Sequence, residues 1–299
     1  MSVLVVGSVA LDTVRTESGD VADALGGSAS YFSLAARRFA PVSLVAVVGE
    51  DFPAAHVDLF RKHGVDVTGL ETAPGRTFRW TGVYAPDFRT RETLDTQLNV
   101  FAAFDPKLND AHREAKFVFL ANIHPELQSR VRGQVRDPRL VVLDTMNYWI
   151  GGSRDALLRT MREVDVMLLN DEEAEMLTGR GNLAEAAKAV LDLGPDLVVV
   201  KRGEEGAFVA SRIFAFAVPA CRVDTVADPT GAGDTFAGGF LGYLASREDP
   251  RAEEEIRNAV LYGAVLASFA VESFSLARLA AATSLEIDAR YREIRSRLR

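Results

Sequence analysis

The sequence predicts an α/β fold, a mainly parallel sheet between layers of helices, and three observations predict it. Short β-branched apolar runs recur at 3–6, 42–48, 117–120, 140–143, 164–169 and 197–200. Most lack polar alternation, which marks strands covered on both faces. Helical patterns at 29–39, 54–63, 156–162 and 183–193 fall between these runs, and the last third of the chain is largely helical. Strand alternating with helix favours parallel pairing. Finally, unusual polar residues follow the strands: Gly7, Ser8 and Asp12, then Asn122, then Asp144 and Asn147, then Asn170, then Lys201 and Gly203. Ligands of open α/β sheets lie beyond the carboxyl ends of the strands, so this is where a site is expected.

Residues 76–104 break the rhythm. They read as strand-like but polar, with Pro86 and Asp87 marking a turn and no helix after the first candidate strand. The expectation is a small antiparallel sheet at the edge of the main one, acting as a lid, with a contribution from residues near 9–17. No repeat, low-complexity tract or linker divides the 299 residues, so one domain over 1–299 is expected.

Composition narrows the function. Lys and Arg number 34 against 42 Asp and Glu, a net charge of -8, so the surface repels polyphosphate and nucleic acid is excluded as a partner. Cys221 is the only cysteine, and His56, His63, His112 and His124 are scattered, which leaves neither a disulfide nor zinc-ligand spacing. The amino terminus, MSVLVVGSVALD, has no basic start and its apolar stretch ends at Asp12. No window has the roughly 18 apolar residues of a membrane span. A cytoplasmic protein with no membrane partner is the expectation.

The segment DPTGAGDTFAGGF, residues 228–240, stands where a helix should begin. A helix amino terminus presents backbone N–H groups without intrahelical partners and a partial positive charge, and glycine lets chain and anion approach closely. Asp234 would repel an anion held permanently by those amides. The combination suits an anion that appears in transit while Asp234 accepts a proton from a hydroxyl, which describes phosphoryl transfer to an alcohol. The same residues also suit a simple helix entry with turn and cap residues.

DPTGAGDTF is similar to the carboxy-terminal signature of the ribokinase-like (PfkB) carbohydrate kinases. Gly26-Gly27-Ser28-Ala29 resembles that family's di-glycine motif, NDEEAEMLTG (170–179) its N-x-x-E motif, and VVKRGEEGAF (199–208) its strand and turn. The resemblance implies a three-layer ribokinase-like fold and an ATP-dependent phosphotransferase that uses Mg2+. It makes Asp234 the general base, and Gly231, Ala232 and Gly233 the anion hole. It puts Asn170 and Glu173 at the nucleotide phosphates, with Glu173 holding Mg2+ through water. Asn170 and Glu173 equally fit a capping box. Lys201, Gly203 and Thr230 fall beside the nucleotide, and Asp228 with Thr230 at a monovalent-cation site. Its partner loop, ASFAVESFS, lacks the family's Gly-Ala, leaving K+ open.

On the acceptor side the resemblance implies Asp12, Gly26 and Gly27; Asn122 joins them by its strand-end position. Where ribokinases carry Asn, this chain has Tyr31, whose aromatic face could stack on a base or ring. Trp80 and Tyr84 could cover the acceptor or staple the lid. The acceptor is expected to be a sugar or sugar-containing small molecule, with a nucleoside as the alternative. A non-catalytic sugar or nucleotide sensor is the reading from another class. A homodimer through the open lid edge completes the expectations.

Overall fold

The computed structural model describes residues 1–88 and 90–298. The apolar runs form strands, and two sheets result. Thirteen strands run in chain order: β1 (Val3–Val6), β2 (Ala10–Thr16), β3 (Gly19–Gly26), β4 (Val42–Gly49), β5 (Val65–Ala73), β6 (Arg79–Tyr84), β7 (Arg91–Gln97), β8 (Phe117–Leu120), β9 (Leu140–Asp144), β10 (Val166–Asn170), β11 (Leu197–Lys201), β12 (Ala207–Ser211) and β13 (Ala215–Val218). The large sheet has the order β13-β12-β11-β10-β9-β8-β1-β4-β5 and the small one β3-β2-β6-β7.

In the large sheet every pairing from β11 to β5 is parallel, and β12 and β13 add an antiparallel edge. β1 is fully buried, and its alternate residues serve two cores: Val3 and Val5 join one cluster, Leu4 and Val6 the other. The first cluster packs under helices Ser28–Ala36, Ala232–Ala245 and Glu253–Ala270, the second under Pro125–Gln134, Arg154–Met161 and Leu183–Asp192. Burial on both faces is why the runs lacked alternation. Phe32 stacks on Phe119 at 4.2 Å between ring centroids, tying helix to sheet. No helix among the described residues is long and apolar enough to cross a membrane.

β1 lies between β4 and β8, so the chain leaves it in one direction and later resumes on its other side. Such a switch opens a crevice at the strand carboxyl ends. Helix Ala232–Ala245 packs beside helix Ser28–Ala36 at that crevice. Close approach requires Gly238, where a Cβ would stand 2.5 Å from the Phe32 carbonyl oxygen.

The small sheet takes in more of the amino-terminal segment than residues 9–17, because β3 pairs antiparallel with β2 along its length. β6 and β7 form a second antiparallel hairpin, and the two hairpins join through parallel β2–β6 pairing. This sheet stands apart from the main one and is not an extension of its edge. Residues Asn99–Ala103, expected as strand, form a 3-10 helix, and its Phe101 stacks with Phe78 and Phe104.

Candidate active site

The small sheet is hydrogen-bonded to the loop before helix Ala232–Ala245. Thr16 Oγ1 donates to the Ala227 carbonyl at 2.9 Å, Ser18 Oγ to the Val226 carbonyl at 3.1 Å, and Thr230 Oγ1 to the Tyr84 hydroxyl at 3.2 Å. On the opposite wall, Ser8 and Ser28 fix the start of helix Ser28–Ala36 to the end of β1, with the Ser28 amide donating to Ser8 Oγ at 3.1 Å. The two helix starts therefore face one cleft.

Gly231 caps helix Ala232–Ala245 at φ 74° and supplies no side-chain cap, while the Asp234 carboxyl bonds its own backbone amide in the first turn. That left-handed geometry favours glycine. A Cβ there would stand 2.3 Å from the Tyr31 ring. Tyr31 is 2% exposed and packs beneath this turn, so the stacking face expected from it is closed. The correction has a plain cause: the ring fills the space under a bare glycine, and the same contact keeps Gly231 bare. At Gly233 the nearest neighbour of a Cβ would be Lys201 Nζ, at 3.2 Å.

Asp234 lies in the first turn, deep in the cleft but in partial contact with solvent. Its carboxyl is pushed up to about 7 by desolvation and by Asp144, against the pull of Lys201 and Arg91. Asp12, 6% exposed, is likewise pushed to about 7 by burial, with Asp228 and Asp234 adding to it and the Gly27 amide opposing. Gly26 makes room for Asp12, since a Cβ there would meet its Oδ2 at 1.8 Å.

On the nucleotide side, Asn170 and Glu173 do form a capping box. Asn170 Oδ1 accepts from the Glu173 amide at 2.7 Å and Glu173 Oε2 from the Asn170 amide at 2.8 Å. Glu173 Oε1 carries no hydrogen bond among the described residues, and the carboxyl is pushed to about 7, chiefly by burial. One free carboxylate oxygen fits Mg2+, which keeps most of its water and leans on substrate phosphates. No group of three His, Cys, Asp or Glu converges as a metal set among the described residues.

Lys201 does not stand free for phosphate. Its Nζ bonds both Asp144 oxygens, at 2.9 and 3.2 Å. Burial would lower this lysine, but Asp144 and Glu173 overcome it and hold it above its ordinary value. Gly203 opens a short 3-10 turn and is exposed. Asn122 accepts from the Trp149 indole at 2.9 Å, which occupies its Oδ1. Asp228 is 1% exposed; it accepts from the Thr230 amide at 2.8 Å and from the Ser275 amide, and so braces the loop.

Sequence reasoning missed two residues here. Asp144 was visible as a strand-end acid but had no assigned role. Arg91, on β7, had no local signal at all; only pairing of Arg91 with Tyr84 and closure of the lid bring its charge to Asp12, Glu173 and Asp234.

Comparison with known proteins bears on the family and the fold. A family model for pfkB family carbohydrate kinases matches residues 2–281. The chain is 30% identical over 253 residues to cytidine kinase from Thermococcus kodakarensis, covering 83% of this chain and 90% of that enzyme. Among solved structures, it resembles a putative ribokinase II from E. coli in complex with ATP and Mg2+, with TM-score 0.81, 18% identity and coverage of 98% and 99%. It also resembles a double-mutant fructokinase from Vibrio cholerae O395 with fructose, ADP and a potassium ion bound, with TM-score 0.79, 21% identity and coverage of 96% and 97%. A glycine-lined helix start beside an acidic side chain, in a matched family that spans nearly the whole sequence, leads to one conclusion: the chain belongs to the pfkB family of carbohydrate kinases and is an ATP-dependent kinase.

Proposed function

We propose that this kinase transfers the γ-phosphoryl group of ATP to a hydroxyl of a sugar or sugar-containing small molecule, with Asp234 as general base. The acceptor oxygen bonds to the γ-phosphorus as its proton passes to Asp234, and the bond from that phosphorus to the bridging oxygen breaks to release ADP. The amides of Gly231 and Gly233 receive the charge that spreads over the phosphoryl oxygens, joined by that of Ala232 once it leaves the Pro229 carbonyl, which it now meets at 3.2 Å. Asn170 and Glu173 would hold hydrated Mg2+, which neutralises the nucleotide phosphates. Asp12, in the space left by Gly26, accepts from acceptor hydroxyls. Thr230 and the backbone around Asp228 lie where a monovalent cation would be held by carbonyls.

One observation carries the reading: a carboxyl raised toward neutrality sits in the first turn of a helix that has no side-chain cap. A base tuned near the working pH transfers protons most effectively. Asp234→Asn should lower kcat by roughly 10² to 10⁴ with no loss of melting temperature. Turnover retained in that variant would refute the assignment.

A nucleoside acceptor is favoured by a second observation. The Trp80 indole folds over Gly82, where a Cβ would meet it at 2.1 Å, and so lies flat along the lid strand whose Tyr84 reaches Thr230. The Arg91 guanidinium lies over that ring at 5.3 Å from its centroid, so a base would meet the indole edge, and cytidine kinase is among the relatives. Phosphorylation of pentoses or hexoses but of no nucleoside, in a panel scored by ADP release, would reject this version. The exposed edge of β7, with Leu94 and Leu98, supports a lid-to-lid homodimer.

A further inference from the structure

The cleft is strongly acidic. Asp12, Asp144, Glu173, Asp228 and Asp234 are all buried or partly buried in it, before any nucleotide phosphate enters. Two cations face them. Lys201 is fixed on both oxygens of Asp144, with 17% of its side chain exposed. Arg91 is different: among the described residues it forms no ion pair with a carboxylate, and its guanidinium lies over the Trp80 ring at 5.3 Å from the centroid.

The lid's geometry aims this cation. β6 and β7 pair Tyr84 with Arg91, and Tyr84 is tied to Thr230, one residue before the Gly231 turn. β2 and β6 pair Asp12 with Trp80, the ring beneath Arg91. Arg91 therefore stands across from the bare helix start, between the acceptor wall and the nucleotide wall. Its charge acts on Asp12, on Asp234 and on Glu173, one from each part of the cleft.

We propose that Arg91 is a catalytic residue delivered by the lid, its guanidinium meeting the equatorial oxygens of the phosphoryl group as it passes from ATP to the acceptor. The inference rests on the phosphoryl-transfer reading above. A planar fork of N–H donors matches phosphoryl oxygens better than an ammonium does, and charge on those oxygens is what such a site must stabilise. It also gives lid closure a chemical purpose: an open lid leaves the transferring group facing an acidic cleft with Arg91, here bonded to the Tyr84 side chain, withdrawn.

The competing role is a staple, in which Arg91 serves only to hold Trp80 and the lid. Calorimetric binding separates the two, using MgADP alone and MgADP with aluminium fluoride, a mimic of the phosphoryl group in flight. Wild type should bind the second probe more tightly than the first. Arg91→Gln should keep the MgADP affinity but bind the fluoroaluminate complex about 10- to 100-fold more weakly. Arg91→Lys should fall between. Equal affinities of wild type and Arg91→Gln for the mimic would overturn the proposal, as would a loss of MgADP affinity in Arg91→Gln equal to its loss of affinity for the mimic. A wild type that bound neither probe would instead refute the phosphotransfer reading itself.

Discussion

The two sheets of this kinase are built on opposite principles. In the large sheet β1, β8 and β9 are buried at every residue, and two cores grip it from both faces. In the small sheet β7 is exposed at every residue. The large sheet is held mainly by apolar burial, at about 25 cal/mol per Å². The lid is held to the body by hydrogen bonds to the 226–230 loop and by the Asp51 cluster, in which Asp51 accepts from the Thr77 amide and hydroxyl, both at 2.7 Å, and pairs with Arg79 at 3.1 Å. Polar contacts of that kind contribute about 1 kcal/mol each. Apolar burial and polar tethers are thereby separated, and the acidic side chains gather at the seam.

The sharpest way to break this comparison is through the core. Phe119→Ala removes the ring stacked on Phe32 and should cost about 3–5 kcal/mol in urea unfolding. A cost near that of a surface change would mean that the large sheet does not hold the stability assigned to it.

The seam itself should show a pH signature. Asp12, Glu173 and Asp234 rise from 3.8, 4.5 and 3.8 to about 7 in the fold. Raised carboxyls favour folding while protonated, so the contribution of these three should be fully present below about pH 4. That advantage should be lost as pH rises through about 7. Melting temperatures from pH 4 to 8 should fall accordingly, and Asp12→Asn or Asp234→Asn should flatten the fall. An unchanged slope in both variants would mean that these carboxyls are not strained by the fold. The comparison also separates roles, because Asp234→Asn trades turnover for stability.

The smallest effect belongs to the lid latch. Tyr84→Phe removes the hydroxyl that meets both Thr230 and Arg91, a net loss of at least about 1 kcal/mol, so amides of β6 and β7 should exchange with solvent about fivefold faster or more. Exchange in β1, β8 and β9 should not change. Faster exchange throughout would show the two sheets unfolding as one unit.

Much of this was legible in the chain itself. Continuous apolar runs dictated buried parallel strands, since no other placement hides both faces of 3–6 or 140–143. The Gly-Ala-Gly-Asp turn marked a helix start, and because the same residues suit a simple turn-and-cap entry, it was the family resemblance that attached chemistry to it. Local sequence also carried the Asn170–Glu173 capping box. Tyr31 was legible only as an aromatic residue in the acceptor helix; that its ring lies under Gly231 depends on two helices 200 residues apart. Lys201 looked like a free strand-end cation until β9 and β11, on either side of β10, brought Asp144 to it. Arg91 had no signal, because its meaning comes from a hairpin register and a closed lid. Sequence determined the elements and the chemistry of the turn, since those depend on neighbours along the chain. Only tertiary structure decided which charges meet, since Coulombic partners and desolvation depend on distance in space.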